Sequence, residues 1–391
     1  MKDMRLAFAA LFTFIFVLGA NAQKVDTQTS EESGFVFKDV KVLPCTSIKN
    51  QSSSGTCWDF STVSFLESEM LRLGKPETDL SEMFVVWHAY SDKAIQDVRM
   101  HGSISFSGGG EFHDVINVIK KYGIVPESVY NGLNYGEPTH VHGEMDDVLK
   151  SYVGAVIDNR NKKLTTAWHN GFDATLDSYL GEIPNTFIYE GKEYTPQSFA
   201  RDYVGLDLDD YVEISSFTHH PFYTKFVLEV PDNWAWGEVY NVPLDEMLQI
   251  IDNSLDEGYT VAWAADISEK GFSAGRLGVA VVNDSVLSAN RDDKEGLKVP
   301  MAHFKETPVT QVMRQAAFDD YRTTDDHGMQ IIGTATDQDG NPFYKIKNSW
   351  GTDNKYNGFF YASKSYVAYK TTSIMVNKHA IPKKIREKLG L

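Results

Sequence analysis

The chain has 391 residues, 42% of them apolar and 23% charged, which suits a soluble globular protein able to bury a large core as one domain or two lobes. A formal charge of −17, with no basic cluster before the last dozen residues, argues against a nucleic-acid partner, because a phosphate backbone would be repelled. Two cysteines, Cys45 and Cys57, are too few for a disulfide framework, and a bond between them would remove the thiol at 57 from any chemistry.

In chain order, Lys2 and Arg5 precede an apolar run from Leu6 to Leu18, and Ala20-Asn21-Ala22 forms a small-x-small cleavage site. This predicts a signal peptide over 1–22, a mature start near Gln23 and a location in the periplasm or outside the cell. The run is short for a membrane span and is followed at once by polar sequence, so no span is expected after cleavage. Residues 23–37 read as a flexible leader, and 38–391 as the folded domain.

Trp58, Val63, Phe65, Leu66, Met70, Leu71 and Leu73 approximate a 3.6-residue period, predicting a helix over 58–73 with Cys57 at its first turn and Gly74 as its cap. Further helices are predicted at 81–94, 112–122 (entered from Gly108-Gly109-Gly110), 197–203 and 244–255. Strands are predicted at 211–214, 225–230, 259–264, 329–335 and 343–347. The last two flank the turn Asp337 to Pro342, which sets His327 just before one strand and Asn348 at the end of its partner. Helices early and strands late indicate an α+β architecture with two lobes.

The order Gln51, Cys57, His327, Asn348 carries the chemistry. A free thiol has a pKa near 8.5, so a nucleophilic sulfur needs help at neutral pH. The positive end of a helix beginning at Cys57 and an imidazolium at His327 would both favour a thiolate. Asn348 would accept a hydrogen bond from the His327 ring and fix its tautomer, with Trp350 covering that bond. The oxyanion formed by attack needs donors; the Gln51 side-chain amide and the Cys57 backbone N–H are the candidates, and Gly55 allows the turn between them.

These segments resemble the papain superfamily of cysteine peptidases, and within it the bleomycin hydrolase/aminopeptidase C branch. The likeness rests on Asn50-Gln51-Ser52-Ser53-Ser54-Gly55-Thr56-Cys57-Trp58, Gly109-Gly110, Lys121 to Glu127, Thr324 to Met329, Asn348-Ser349-Trp350-Gly351 and Val376 to His379, and spans about 38–382. It implies a papain-like fold of a helical lobe and a β-sheet lobe, aminopeptidase activity on peptides, Gly109 and Gly110 as substrate-binding residues, and a hexameric homo-oligomer. Papain-like enzymes place His some 130–150 residues after Cys. Here the separation from 57 to 327 is 270, so insertions are expected around 136–235 and 268–318.

Relatives in this branch are mostly intracellular, and their C-terminal carboxylate holds the substrate's amine. This chain carries an export signal, and only nine residues follow Pro382, of which 383–388 look basic and helical. An endopeptidase or amidase with no need of a free amine is therefore a second reading, and a secreted binding protein that has lost catalysis a third. A transglutaminase-like arrangement would use Asp where Asn348 stands. No cofactor or metal is expected. His140-x-His142-x-Glu144 reads as an exposed loop, His219-His220 as a surface turn, and Trp234 and Trp236 as packing residues.

Overall fold

The computed structural model describes residues 34–161, 163–268, 271–283 and 305–391. The predicted signal peptide and most of the predicted leader lie outside them. The leader's end is packed: Phe35 is buried against Phe343, Phe37 stacks on Tyr361 at 4.0 Å, and Val36 N–H donates to Gln338. Folded structure therefore begins by residue 34 rather than 38, because two aromatic rings cover the sheet there.

The helices α1 (Cys57–Arg72), α2 (Glu82–Arg99), α3 (Phe112–Tyr122), α4 (Gly143–Ile157) and α5 (Ala167–Leu180) build one half. The strands that position the site are β4 (Tyr211–Ser215), β7 (Val261–Ala265), β10 (His327–Thr336), β11 (Pro342–Lys347) and β13 (Thr371–Asn377), members of a mixed sheet of eleven strands among the described residues. In β7 every residue is buried, yet the period-2 alternation persists. Ala262 and Ala264 face the core made by α1–α5, while Val261, Trp263 and Ala265 face a second core that holds α7 (Leu244–Asp256). The sheet is thus covered on both faces, and α1 lies between it and the other helices, buried from Trp58 to Met70.

Local signals explain the boundaries. α3 starts with a capping box, Glu111 with Asp114. It stops at Gly123, where φ is 87° and a Cβ would meet the Pro196 carbonyl carbon at 2.2 Å. The predicted helix at 197–203 is one α-turn (Pro196–Ser198) that runs into a π-turn (Phe199–Val204). The hairpin is present: Thr336 pairs with Pro342, and Gly340 takes φ 84° in its turn. The end of the chain forms a helix, Lys383–Leu389, whose Ile385 and Leu389 enter the second core. Its Lys388 pairs with Glu246 on α7 at 2.5 Å. No helix among the described residues is long and apolar enough to cross a membrane.

Candidate active site

Cys57 opens α1, and α1 lies against the start of β10. The contact is close enough to require glycine at 328, since a Cβ there would stand 2.9 Å from the Cys57 carbonyl oxygen and 2.5 Å from Ser61 Oγ. The backbone N–H groups of Gly328 and Trp58 pull the Cys57 thiol downward. Cys57 therefore packs against the residue that follows His327, and its thiol is half-buried and free of any disulfide. Cys45 is likewise a free thiol.

Antiparallel pairing of β10 with β11 fixes the next contact. Gln330 lies opposite Lys347, so Asn348 falls one step farther toward the start of β10. Asn348 Oδ1 is 2.7 Å from His327 Nε2 and also accepts the Ser349 N–H at 2.9 Å. A carboxamide oxygen only accepts, so Nε2 carries the ring hydrogen and Nδ1 keeps its lone pair. The Trp350 ring stacks on His327 with centroids 4.7 Å apart.

Gln51 is buried and tied to the same segment. Its N–H donates to the Ser349 carbonyl at 2.8 Å, and its Oε1 accepts from Ser349 Oγ at 2.7 Å. Its Nε2 donates one hydrogen to the Ser54 carbonyl at 2.9 Å, which leaves a second hydrogen for another acceptor. The turn 51–56 is held from outside by residues 140–142: Ser53 N–H donates to the His140 carbonyl, and His142 N–H to the Ser53 carbonyl. The loop expected at His140–Glu144 is for that reason not exposed at His142, which is fully buried.

Beneath the site runs a buried polar network for which the sequence gives no motif. Gln330 accepts from Ser64 Oγ at 2.7 Å and donates to Ser68 and Thr260, while Lys347 Nζ donates to Ser64 at 2.7 Å and to Thr46 at 3.0 Å. It fastens α1 to β10 and β11, which carry the two halves of the site. The only hint in the sequence was polar residues at sheet-core positions.

Gly109 and Gly110 are both closely covered. At Gly110 a Cβ would meet the Trp58 ring at 2.9 Å, and at Gly109 it would coincide with the Asp232 carboxylate, 1.9 Å from Oδ2. The run is anchored below by Trp58 Nε1 on the Gly108 carbonyl at 3.0 Å and by Lys93 Nζ on the Ser107 carbonyl at 2.9 Å and on that of Gly109.

Taken one at a time, the two groups are shifted in the direction opposite to a thiolate–imidazolium pair. Burial pushes the Cys57 thiol up to about 12, and Asp325 and Asp232 add to this, outweighing the two N–H donors. Burial likewise holds the His327 ring down to about 4, against the Asn348 bond. Taken singly, each group is neutral. Transfer of one proton from sulfur to ring would make a pair of opposite charges, whose attraction offsets part of the cost of ionising either alone.

Among the described residues, His219, His220 and Glu229 form a cluster of metal-ligand type. Its hydrogen bonds suit no cation. Gln315 Oε1 accepts the Thr218 N–H at 2.5 Å, so its amide nitrogen is the group at His219 Nδ1, 3.0 Å away. That nitrogen must accept, so Nε2 carries the hydrogen and donates it to Glu229 at 2.9 Å.

Two family models match the chain: the papain family cysteine protease over residues 36–171 and the peptidase C1-like family over 184–390. The chain belongs to the peptidase C1-like family. It is a cysteine-type peptidase. Among curated proteins it is 25% identical to aminopeptidase C of Streptococcus thermophilus, covering 91% of this chain and 85% of that one. It is 22% identical to human bleomycin hydrolase, with 91% and 86% covered. Among solved structures, PepW from Lactobacillus rhamnosis matches 90% of this chain and 84% of its own, with a TM-score of 0.69 at 20% identity, which shows a shared fold. The α+β, papain-like architecture is therefore established.

A base must be unprotonated to accept the thiol proton. With His327 held near 4, kcat/KM is expected to rise with pH through about 4 rather than through the ordinary histidine value near 6.5. A pH–rate profile on a substrate that does not titrate between 3 and 8 checks this, and an acid limb centred near 6.5 would contradict it.

Proposed function

We propose that the protein is an exported aminopeptidase in which Cys57 is the nucleophile, His327 the base and then the acid, Asn348 the group that orients the ring, and Gln51 an oxyanion donor. The observation that carries this reading is the 2.7 Å bond from His327 Nε2 to Asn348, combined with the packing of Cys57 against the residue after His327, close enough to require glycine there.

In this reading the Cys57 proton passes to His327 Nδ1 as sulfur attacks the peptide carbonyl carbon. The oxyanion takes the second Gln51 hydrogen and the Cys57 N–H. The C–N bond then breaks, His327 gives its proton to the departing amine, and a thioester remains. Water, deprotonated by His327, attacks the thioester; the acid leaves and the proton returns to sulfur. The aminopeptidase assignment is supported by the names of the relatives, aminopeptidase C among them. Export is supported by the charged, apolar and small-residue pattern of positions 2–22.

One preparation tests the whole reading. Full-length protein expressed with its leader in a bacterial host is expected to be recovered outside the cytoplasm with its N-terminus near Gln23. Alkylation by iodoacetamide should label Cys57 in proportion to the loss of leucyl-amide hydrolysis. Labelling of Cys57 without loss of hydrolysis would refute the nucleophile, and an intact N-terminus at Met1 would refute export.

A further inference from the structure

His327 is the first residue of β10, so its own strand holds it from one side only. On the other side, residues 320–326 lead from the helix Gln311–Asp319 to the strand without regular structure. Backbone groups outside helix and sheet must find partners elsewhere, and here they find them around one side chain. Asp266 directly follows Ala265, the β7 residue opposite His327, and it is fully buried. Its Oδ2 accepts the Thr324 N–H at 2.8 Å, and its Oδ1 accepts the Ser268 N–H and hydroxyl, each at 2.9 Å. The Thr324 hydroxyl lies 3.3 Å from Asp266 Oδ2 and gives its hydrogen to the nearer Asp326 Oδ1 at 2.8 Å. Asp326 Oδ2 in turn accepts the Ile267 N–H at 3.2 Å, which closes the clasp.

A buried cation completes it. Lys370, last residue of the helix Lys364–Lys370, places Nζ 3.9 Å from Asp266 Oδ2 and donates to the Arg322 carbonyl. The main chains of the two residues are joined as well, Asp266 N–H to the Lys370 carbonyl at 3.0 Å, and the Tyr366 hydroxyl donates to the Asp266 carbonyl at 2.9 Å. Arg322 and Thr324 are thereby pinned to the point where β7 ends and β13 begins.

The consequence falls on the ring of His327. Its bond to Asn348 and its stacking on Trp350 set how the ring is turned, whereas its distance from Cys57 follows from the backbone on either side. At 328 that backbone packs on Cys57, where a Cβ would stand 2.9 Å from the Cys57 carbonyl oxygen. At 324 and 326 it is tied to Asp266 and Ile267. His327 is suspended between these two anchors.

We propose that Asp266, with Lys370 as its countercharge, is a positioning residue for hydrolysis: it holds the 322–326 segment so that His327 stands where it takes the Cys57 proton. The proposal rests on the Cys57–His327–Asn348 reading and adds to it a residue that touches neither the substrate nor the reacting atoms.

The test compares D266N, T324V and H327A with the wild type on a leucyl amide, well below the melting temperature of each. In D266N one carboxylate oxygen becomes an amide nitrogen, so either Thr324 N–H or Ser268 N–H faces a donor. A displacement of about 1 Å away from the chemistry can cost about 10²-fold, so kcat should fall by roughly 30- to 100-fold with KM within about threefold. T324V keeps the N–H bond and loses only the hydroxyl, and its kcat should fall by roughly three- to tenfold. A second readout separates positioning from stability: the rate at which iodoacetamide alkylates Cys57 at pH 10, divided by the rate at pH 6. A thiol that hands its proton to His327 reacts at pH 6, whereas a thiol without that base depends on alkali. H327A sets the upper limit of the ratio, and D266N should move at least tenfold toward it. A merely structural role would lower the melting temperature and leave the ratio and kcat unchanged, and that result overturns the proposal. So does a loss confined to KM. If D266N does not fold, T324V decides alone: wild-type kcat and ratio in that variant overturn it. If H327A still hydrolyses the amide, the underlying reading and the proposal fall together. If H327A is inactive while D266N and T324V match the wild type, the Asp266 assignment alone falls.

Discussion

Cys57→Ala is expected to lower peptide hydrolysis by about 10⁶-fold, the scale on which nucleophile removal acts in enzymes whose nucleophile and base work as a unit. The same substitution should leave thermal stability nearly unchanged, because the side chain is half-buried and only its sulfur is lost. A water can replace the sulfur at a half-exposed position. Activity on a fluorogenic amide and a melting curve, measured on the same sample, check both halves. Substantial residual hydrolysis that remains sensitive to thiol reagents would assign the chemistry to Cys45, the other free thiol.

Gln51→Ala is the second large effect. Loss of one oxyanion donor typically costs about 2.7–4 kcal/mol of transition-state stabilisation, so kcat should fall by roughly 10²–10³ with little change in KM. Unlike the cysteine variant, this one should also lose stability. The Gln51 amide is buried and partners Ser349 Oγ and the Ser54 carbonyl, and stranding those two groups costs about 1–3 kcal/mol. Kinetics at a temperature well below the melting point separate the two losses. A variant with normal kcat would mean that the oxyanion is met by backbone donors alone.

The elements that position the site were legible because each has a local cause. The helix at 57–72 has a run of apolar residues ended by Gly74, the 112–122 helix has its glycine entry and exit, and the 337–342 turn fixes the hairpin that sets Asn348 beside His327. The helices at 143–157 and 167–180 went unread. They bury only Met145, Leu149 and Val153, and Phe172, Leu176 and Leu180, so each apolar stripe is thin and its neighbours are polar or small. Of the strand at 371–377 only the end entered the sequence reading, as part of the family likeness at Val376 to His379, since Thr371, Thr372 and Ser373 look like surface and become buried only once β7 and β4 lie on either side.

What opposes ionisation at the site was not legible in the sequence, for a different reason. A helix start and a histidine are visible in sequence and both favour a thiolate, whereas the burial of Cys57 and the nearness of Asp232 and Asp325 arise from segments 175 and 268 positions away. No window along the chain contains them. Asp232 itself carries no motif; its place beside Gly109 depends on a glycine whose missing side chain leaves room for a carboxylate.

The bond from Ser349 Oγ to Gln51 Oε1 joins a residue next to Asn348 to the amide proposed as oxyanion donor. Any drift of one half of the molecule from the other would release that amide to rotate before sulfur and ring had parted by a comparable amount. Slight opening would thus switch off turnover while the thiol still reacts with small alkylating agents, so labelling and catalysis would lose their correspondence at different temperatures.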